Sequence, residues 1–286
     1  MRLRSVSALL SSIALLSACA DLTTGPGDGG TSIEHATGDR EVLVRVSYEG
    51  GLIDVAWHLT NLPIFSLYGD GTVIQPGAQI AIYPGPALPA ISSRTIAEAG
   101  IQSILREALD AVEGVPDHLN DLYSMQIADA TSTVITVNAA GVERTISVYA
   151  LAEAPQRPEG MPDDVYEARQ RLSRLVTKLS NLEPWLPAAS LGDETTYRSQ
   201  AARVFVSDYR KVDDLHQEPI AWPAGSLGRF GEPTQPTGYR CGTLSGDAWN
   251  VVREQASRAN QLTPWTDAGE RFSVLFRPLL PDESGC

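Results

Sequence analysis

The sequence predicts an α+β fold in which antiparallel sheets are each packed by one helix. Three observations predict it: runs of alternating apolar residues, turn sequences rich in Gly, Asn and Asp between such runs, and stretches whose apolar residues recur every three or four positions. A content of 43% apolar and 20% charged residues suits an ordinary folded core. The 286 residues are enough for two small domains or one large one.

The first half, residues 41–151, begins with strand patterns. "REVLVRVSYEG" predicts a half-buried strand, with alternate apolar residues on one face. "PIFSLYGDGTVIQPG" predicts a hairpin in which Asp70 is a turn residue between two glycines. "IAIYPGPALPAI" contains too much Pro and Gly for a helix and predicts an extended stretch.

A helix and a second hairpin complete this half. Thr95 and Glu98 have the spacing of a capping box, and an apolar stripe follows them as far as Gly114. "STVITVNAAGVERTISVYAL" then predicts two strands around a turn at residues 138–141.

Residues 152–190 predict a linker and a connecting helix that begins near Pro162. Residues 191–286 repeat the theme of the first half. "ARVFVSDY" and "PIAWPAG" predict strands, a helix follows with Ser245 at its N-cap, and "ERFSVLFRPLL" predicts a final strand. The shared order indicates two diverged pseudo-repeats joined by the connecting helix.

The N-terminus predicts export. Residues 1–18 have two arginines followed by an apolar run that is too short to span a bilayer. The run ends in Leu16-Ser17-Ala18-Cys19, which resembles the bacterial lipoprotein signal. This resemblance implies that Cys19 becomes an acylated N-terminus and anchors the protein in a membrane. A plain secretory signal with a chance cysteine is the alternative.

Residues 19–40 predict a lipidated cysteine and a flexible tether, because Gly, Thr and Asp dominate the segment. The position after Cys19 holds Ala20 and not the Asp that often marks inner-membrane retention. We therefore expect an exported, lipid-anchored domain outside the cytoplasm, on the cell membrane or the outer membrane.

The net charge restricts the classes of possible partner, and the cysteine content predicts a disulfide. The net charge is −13, and removal of Arg2 and Arg4 with the signal, without loss of an acidic residue, makes it −15. Such an acidic chain argues against nucleic acid as a partner. Export places Cys241 and Cys286 in an oxidising compartment, which predicts one disulfide between them. A reactive thiol is the alternative.

The sequence contains no strong catalytic or cofactor motif, and we predict no cofactor. Two groups could supply chemistry: Asp213, Asp214, His216 and Glu218 as metal ligands, and His118 with Asp121 as a general-base pair. A solvated acidic loop and ordinary loop hydrogen bonds are the simpler interpretations, so we predict neither a metal site nor a catalytic one.

Aromatic residues in Pro-rich stretches supply the candidate binding residues. Tyr83 and Trp222 could border a groove for a sugar or a peptide, because such rings suit a surface where an apolar face meets a polar partner. Burial of these rings in the core is the alternative.

Four stretches, "PIFSLYGDGTVI", "IAIYPGPALPAI", "NQLTPW" and "FRPLLPDESGC", resemble exported bacterial lipoproteins without assigned function. The resemblance covers most of residues 41–286 and implies no activity or ligand. We therefore expect a non-enzymatic binding or scaffolding domain with an envelope protein, a glycan or a small molecule as partner. The alternatives are an envelope hydrolase that pairs a carboxylate with His118 or His216, and an accessory subunit of an envelope complex, which would expose an apolar patch.

Overall fold

Two β-sheets, one built mainly from each half of the chain, organise the fold. A computed structural model describes residues 32–119, 127–153, 157–236 and 238–286. Four helices and two sheets lie within these ranges, which confirms the predicted α+β class. Residues Ile33–Cys286 form one compact unit. No helix in the described ranges has the length and apolar character needed to cross a membrane.

The first sheet has eight strands within the described residues. They are β1 (Val42–Glu49), β2 (Phe65–Tyr68), β3 (Thr72–Pro76), β4 (Ile91–Thr95), β5 (His118–Leu119), β6 (Ser132–Ala139), β7 (Val142–Tyr149) and β8 (Thr195–Thr196). Their order across the sheet is β5-β7-β6-β1-β2-β3-β4-β8. β1 pairs antiparallel with β2 and with β6 and so lies at the centre. β8 comes from the second half of the chain and pairs with β4.

Both predicted hairpins are present, and their turns follow from local chemistry. Between β2 and β3, the Asp70 carboxylate accepts hydrogen bonds from the backbone N–H (2.8 Å) and the hydroxyl (2.9 Å) of Thr72. Between β6 and β7, Ala140 and Gly141 have φ values of 53° and 73°. Two successive positive φ values are typical of the two-residue turn that matches the twist of a hairpin.

Three helices belong to the first half: α1 (Val55–Thr60), α2 (Glu98–Val112) and α3 (Asp163–Ser180). α3 was predicted as a connector, but it packs against α2 and adds its apolar face to the same core. The guanidinium of Arg169 on α3 donates to the carbonyls of Tyr149 (3.0 Å) and Ala150 (2.8 Å), at the end of β7. The buried side chains of this core include Leu43, Ile104, Leu105, Ile135, Leu172 and Leu175.

The capping box predicted for α2 is wrong. Thr95 is the last residue of β4, where it pairs with Thr72 of β3. The helix begins three residues later, and its N-cap Ala97 makes no side-chain capping bond. The backbone of Thr95 is committed to the sheet, so its hydroxyl cannot reach the first turn of the helix.

The second sheet has six strands within the described residues, in the order β10-β13-β14-β9-β12-β11. They are β9 (Ala201–Asp208), β10 (Ile220–Ala221), β11 (Glu232–Thr234), β12 (Tyr239–Ser245), β13 (Trp265–Asp267) and β14 (Glu270–Pro278). Helix α4 (Gly246–Ala256) follows Ser245, which holds the N-cap position as predicted but makes no side-chain capping bond. Trp222, Trp249, Trp265 and Phe276 dominate the core of this half.

The two halves share a scheme but differ in strand order. In each, a central strand has antiparallel partners on both sides, and a helix precedes a late hairpin. In the first half the earlier hairpin strand, β6, pairs with the central strand, whereas in the second half the later one, β14, does so. The two halves therefore share elements but differ in how their strands are connected.

The end of the predicted tether packs onto the first half. The backbone N–H of Ile33 donates to the side chain of Gln102 on α2 (2.7 Å), and the carbonyl of Glu34 accepts from the N–H of Ala140 (2.8 Å). Residues 33–40 are therefore part of the fold and not of a flexible segment. The signal, Cys19 and tether residues 20–31 lie outside the described residues.

Candidate functional site

A short helix that the sequence did not predict forms one wall of the candidate site. α1 begins after Asp54, whose Oδ1 accepts a hydrogen bond from the backbone N–H of Ala56 (2.7 Å) and so caps the helix. The helix packs against β14 of the second half. Trp57 on this helix is half-buried, and its ring lies edge-on to His58 with ring centroids 5.3 Å apart.

The Pro-rich stretch forms the second wall. Within this loop the backbone N–H of Gly77 donates to the carbonyl of Ala90 (2.9 Å). The N–H of Ala87 donates to the carbonyl of Ala259 in the second half (3.1 Å). Two glutamines brace it further: Gln79 Oε1 accepts from the N–H of Ala90 (2.9 Å), and Gln261 Oε1 accepts from the N–H of Gly85 (3.3 Å). No helix forms in residues 77–90, in keeping with their proline and glycine content, and bonds within the loop and to the second half hold them in place.

These walls border a cleft of ≈ 510 Å³, here called the Trp57–Tyr83 cleft. That volume is within the range of ordinary ligand pockets. Trp57 and Tyr83 line it from the two walls, and Leu262, Val274 and Phe276 of the second half line it as well. Tyr83 is thus placed where the sequence predicted a binding residue, and its side chain is 71% exposed.

The polar groups of the Trp57–Tyr83 cleft are few. Among the residues that the structure describes, Asp54 is the only charged one that lines it. Gln79 and Gln261 use their carbonyl oxygens to hold the loop, and within the described residues neither amide nitrogen donates a hydrogen bond. The cleft therefore offers aromatic and aliphatic surface, two amide donors and one carboxylate. This set suits a neutral or basic ligand and disfavours an anionic one.

Exposed apolar residues neighbour, in sequence, the residues that line this cleft. Of the seven large apolar side chains exposed among the described residues, six lie in residues 52–55 and 80–83, on the two segments that form the walls. Leu52 is 81% exposed and Ile80 is 67% exposed. We call five of them, other than Tyr83, the apolar rim: Leu52, Ile53, Val55, Ile80 and Ile82. Concentrated exposure of this kind marks interaction surfaces.

A second, polar cleft shares Trp57 but is largely neutralised by its own ion pairs. Arg45 donates to both carboxylate oxygens of Asp282 (2.9 and 2.7 Å), and Arg277 does the same to Glu283 (2.7 and 2.7 Å). Burial opposes ionisation of Asp282 and Glu283. The hydrogen bonds and positive charges of the arginines, with the Tyr68 hydrogen bond to Asp282 and backbone hydrogen bonds, together outweigh it and hold the pKa of each carboxyl below its ordinary value.

Trp222, the other predicted binding residue, lies in the core of the second half. It is only 8% exposed, and its ring contacts Trp265, with ring centroids 5.5 Å apart, and Phe230 and Phe276. Its indole N–H donates to the carbonyl of Ala224. These contacts leave Trp222 little surface for a ligand, so the alternative of burial describes it better.

Cys241 and Cys286 form the predicted disulfide, with Cα atoms 6.0 Å apart. Cys286 thereby fastens the end of the chain to β12. Cys19, the predicted lipidation site, lies outside the described residues.

Neither His118 nor His216 lines the two clefts described above. His216 Nε2 lies 3.0 Å from Glu218 Oε1, but both side chains are more than four-fifths exposed. Asp117 pairs with Arg144 (2.6 Å) and not with His118, and Asp121 lies outside the described residues. Within the described ranges no group of three or more His, Cys, Asp or Glu side chains could hold a metal ion.

Comparison of the chain with models of known families, with curated proteins and with solved structures finds no match. The function must therefore be argued from the site itself.

Proposed function

We propose that this protein is a membrane-tethered envelope lipoprotein whose folded domain binds a partner through the Trp57–Tyr83 cleft. The anchor is the lipidated Cys19 that the N-terminal signal implies. The observation that carries the binding function is the concentration of exposed apolar side chains around one aromatic cleft. Exposed Leu and Ile are costly to leave in water, at up to about 1.5–3 kcal/mol for each side chain that a partner could bury fully.

Binding or scaffolding fits this surface better than catalysis does. The residues lining the cleft include one carboxylate, Asp54, and no histidine, cysteine or lysine. Asp54 is also engaged as the cap of α1. The apolar rim is the feature expected of an accessory subunit, so an accessory role in an envelope complex is the second candidate. The hydrolase alternative receives no support from His118 or His216, neither of which lines this cleft.

The proposal is tested by comparing the native chain with Cys19→Ser in living cells. Incorporation of a labelled fatty acid, membrane fractionation and chemical cross-linking are measured for both. We expect the native chain to carry the label, to fractionate with membranes and to form a discrete cross-linked product. Cys19→Ser should lose all three. Identical fractionation of the two chains would refute the anchor, and a native chain that forms no cross-linked product would refute the binding role.

A further inference from the structure

We infer that the Trp57–Tyr83 cleft and the apolar rim receive an apolar, neutral-to-basic segment of a protein partner. This inference rests on the proposed function and adds the chemistry of the partner. It is argued from the composition of the rim, from the end of the first sheet at which its two segments lie, and from charge.

The composition of the rim favours protein over sugar. Its five residues are all aliphatic, namely Leu52, Ile53, Val55, Ile80 and Ile82, and they are exposed beside the two rings of the cleft. Sugars are bound by flat aromatic faces and by polar groups that pair with hydroxyls, and aliphatic side chains supply neither. A protein segment with apolar side chains gains from burying both the rings and the rim.

The rim and the point where the chain enters the fold lie at opposite ends of the first sheet. The chain enters at Ile33, and Glu34 bonds to the turn at Ala140, which lies at the N-terminal end of β1. Leu52 bonds to Asp129, which lies at the C-terminal end of β1. The eight residues of β1 separate these ends by about 24 Å.

The second segment of the rim leaves the sheet at the same far end. Pro76, the last residue of β3, lies beyond the level of Ile74, which pairs with Ser66 of β2. Residues 77–90 connect Pro76 to Ile91, its partner in β4, at the end of the sheet opposite the turn at Gly69 to Gly71. Both segments of the rim therefore leave the first sheet at the same end, as contact with one partner requires.

The charges of the cleft and of the domain favour a basic partner segment over an acidic one. Residues 71–93 contain no Asp, Glu, Lys or Arg, although the chain as a whole carries a net charge of −13. Asp54 is the only charged residue in the described part of the chain that lines the cleft. A partner segment with apolar residues beside a Lys or Arg would pair with Asp54 and be attracted by the acidic domain, whereas an acidic partner would be repelled.

The test places a photo-cross-linking amino acid at Ile80 of the full-length chain in living cells, with Glu143 as the control position. Glu143 is exposed and pairs with Asn138 of β6, near the tether end of the sheet. We expect irradiation to give one discrete protein adduct from position 80 and none from position 143. The adduct from Ile80 should be retained at high salt, because apolar burial is its main source of affinity.

Two variants check the surface itself, with the cross-linker moved to Tyr83. Ile80→Asp combined with Ile82→Asp should reduce the adduct at least tenfold. Val251→Asp, which charges the one exposed large apolar residue outside the two segments, should leave it unchanged. All three residues are exposed, so we expect thermal unfolding of both variants to match that of the native chain; a variant that unfolds earlier is replaced by Ile80→Ser.

Purified Cys19→Ser protein tests the rival occupants through the part of its tryptophan fluorescence that is lost in Trp57→Phe. Vesicles of phosphatidylethanolamine and phosphatidylglycerol, and chitohexaose as a neutral sugar, should produce no saturable change. Saturable binding of either probe, or an adduct with the mass of a lipid or a glycan, would overturn the inference but not the proposed function. Equal adducts from positions 80 and 143, or none from position 80 in a chain that is acylated and forms chemical cross-links, would also overturn it.

Discussion

Arg45 and Asp282 form a two-pronged ion pair across 237 positions of sequence. The Nη1 and Nη2 atoms of Arg45 on β1 donate to the two carboxylate oxygens of Asp282 at 2.9 and 2.7 Å. The hydroxyl of Tyr68 on β2 donates to the same carboxylate (2.8 Å). Because Asp282 follows β14, the pair joins the first sheet to the last segment of the second half.

This pair should contribute strongly to stability because both side chains are about four-fifths buried. Replacing Asp282 by Asn removes the charge and leaves the Arg45 guanidinium buried with a weaker acceptor. We expect Asp282→Asn to lower the free energy of unfolding by about 2 kcal/mol. Urea unfolding of the full chain at pH 7 measures this change.

The exposed pair of Glu254 and Arg258 on and after α4 supplies the control. Its charged atoms lie 2.9 Å apart, but both side chains are about two-thirds exposed. Glu254→Gln should therefore change the free energy of unfolding by less than about 0.5 kcal/mol. Equal decreases in the free energy of unfolding would show that the Arg45–Asp282 pair stabilises the fold no more than an exposed pair does.

The pH dependence of stability should follow from the same carboxyls. The pKa values of Asp282 and Glu283 are below their ordinary values in the folded protein. Their stabilisation is therefore complete above the unfolded pKa values of about 4 and is lost as the pH falls through the folded values. We expect the free energy of unfolding to decrease from about pH 5 downwards.

A double variant isolates this contribution. Asp282→Asn with Glu283→Gln should be less stable at pH 7 and should lose less stability between pH 5 and pH 3 than the native chain. Some loss should remain, because Glu98 and Glu183 also have lowered pKa values. Parallel curves for the variant and the native chain would contradict this assignment.

Elements in which apolar residues recur at the regular spacing of a strand or a helix could be predicted from the sequence. This spacing is present in strands β1, β6, β7, β9 and β14 and in helices α2, α3 and α4. Two short elements were not predicted: α1 has six residues and none is buried, and β4 contributes one buried residue, Ile91. Such elements exist because neighbours pair with them, and a local pattern does not show those neighbours.

The candidate site was predictable only in part, for the same reason. Tyr83 could be proposed because the prolines around it exclude a helix and keep the chain extended. Trp222 has a similar setting in sequence, but three distant rings bury it. The apolar rim arises where two segments about 28 positions apart leave the same end of a sheet, and only the pairing of β1, β2 and β3 shows this.

The disulfide should stabilise the fold by restricting the unfolded chain. The 45-residue separation of Cys241 and Cys286 corresponds to about 4 kcal/mol in the chain-entropy model. We expect Cys241→Ser combined with Cys286→Ser to lower the free energy of unfolding by about that amount. A reductant should bring the native chain to the stability of the variant and leave the variant unchanged. If the reductant also lowered the free energy of unfolding of the variant, its effect on the native chain could not be assigned to the disulfide.

Gly71 should be the least replaceable residue of the first hairpin. Its φ is +84°, and a Cβ atom added there would lie 2.5 Å from the carbonyl oxygen of Ile96. The backbone of Ile96 is held against Gly71, because its N–H donates to the Gly71 carbonyl (2.7 Å). Gly71→Ala therefore combines an unfavourable backbone angle with a contact that only a backbone shift can relieve. We expect it to lower the free energy of unfolding by about 3 kcal/mol.

Gly141, in the second hairpin, separates these two causes. Its φ is +73°, but a Cβ atom added there would meet nothing within 4 Å. Gly141→Ala should therefore cost only the backbone contribution of about 1 kcal/mol. Urea unfolding of the two variants side by side measures the difference. Equal decreases in the free energy of unfolding would show that the contact between a Cβ atom at position 71 and Ile96 is relieved at no cost. The start of α2 would then have room to move away from the first sheet.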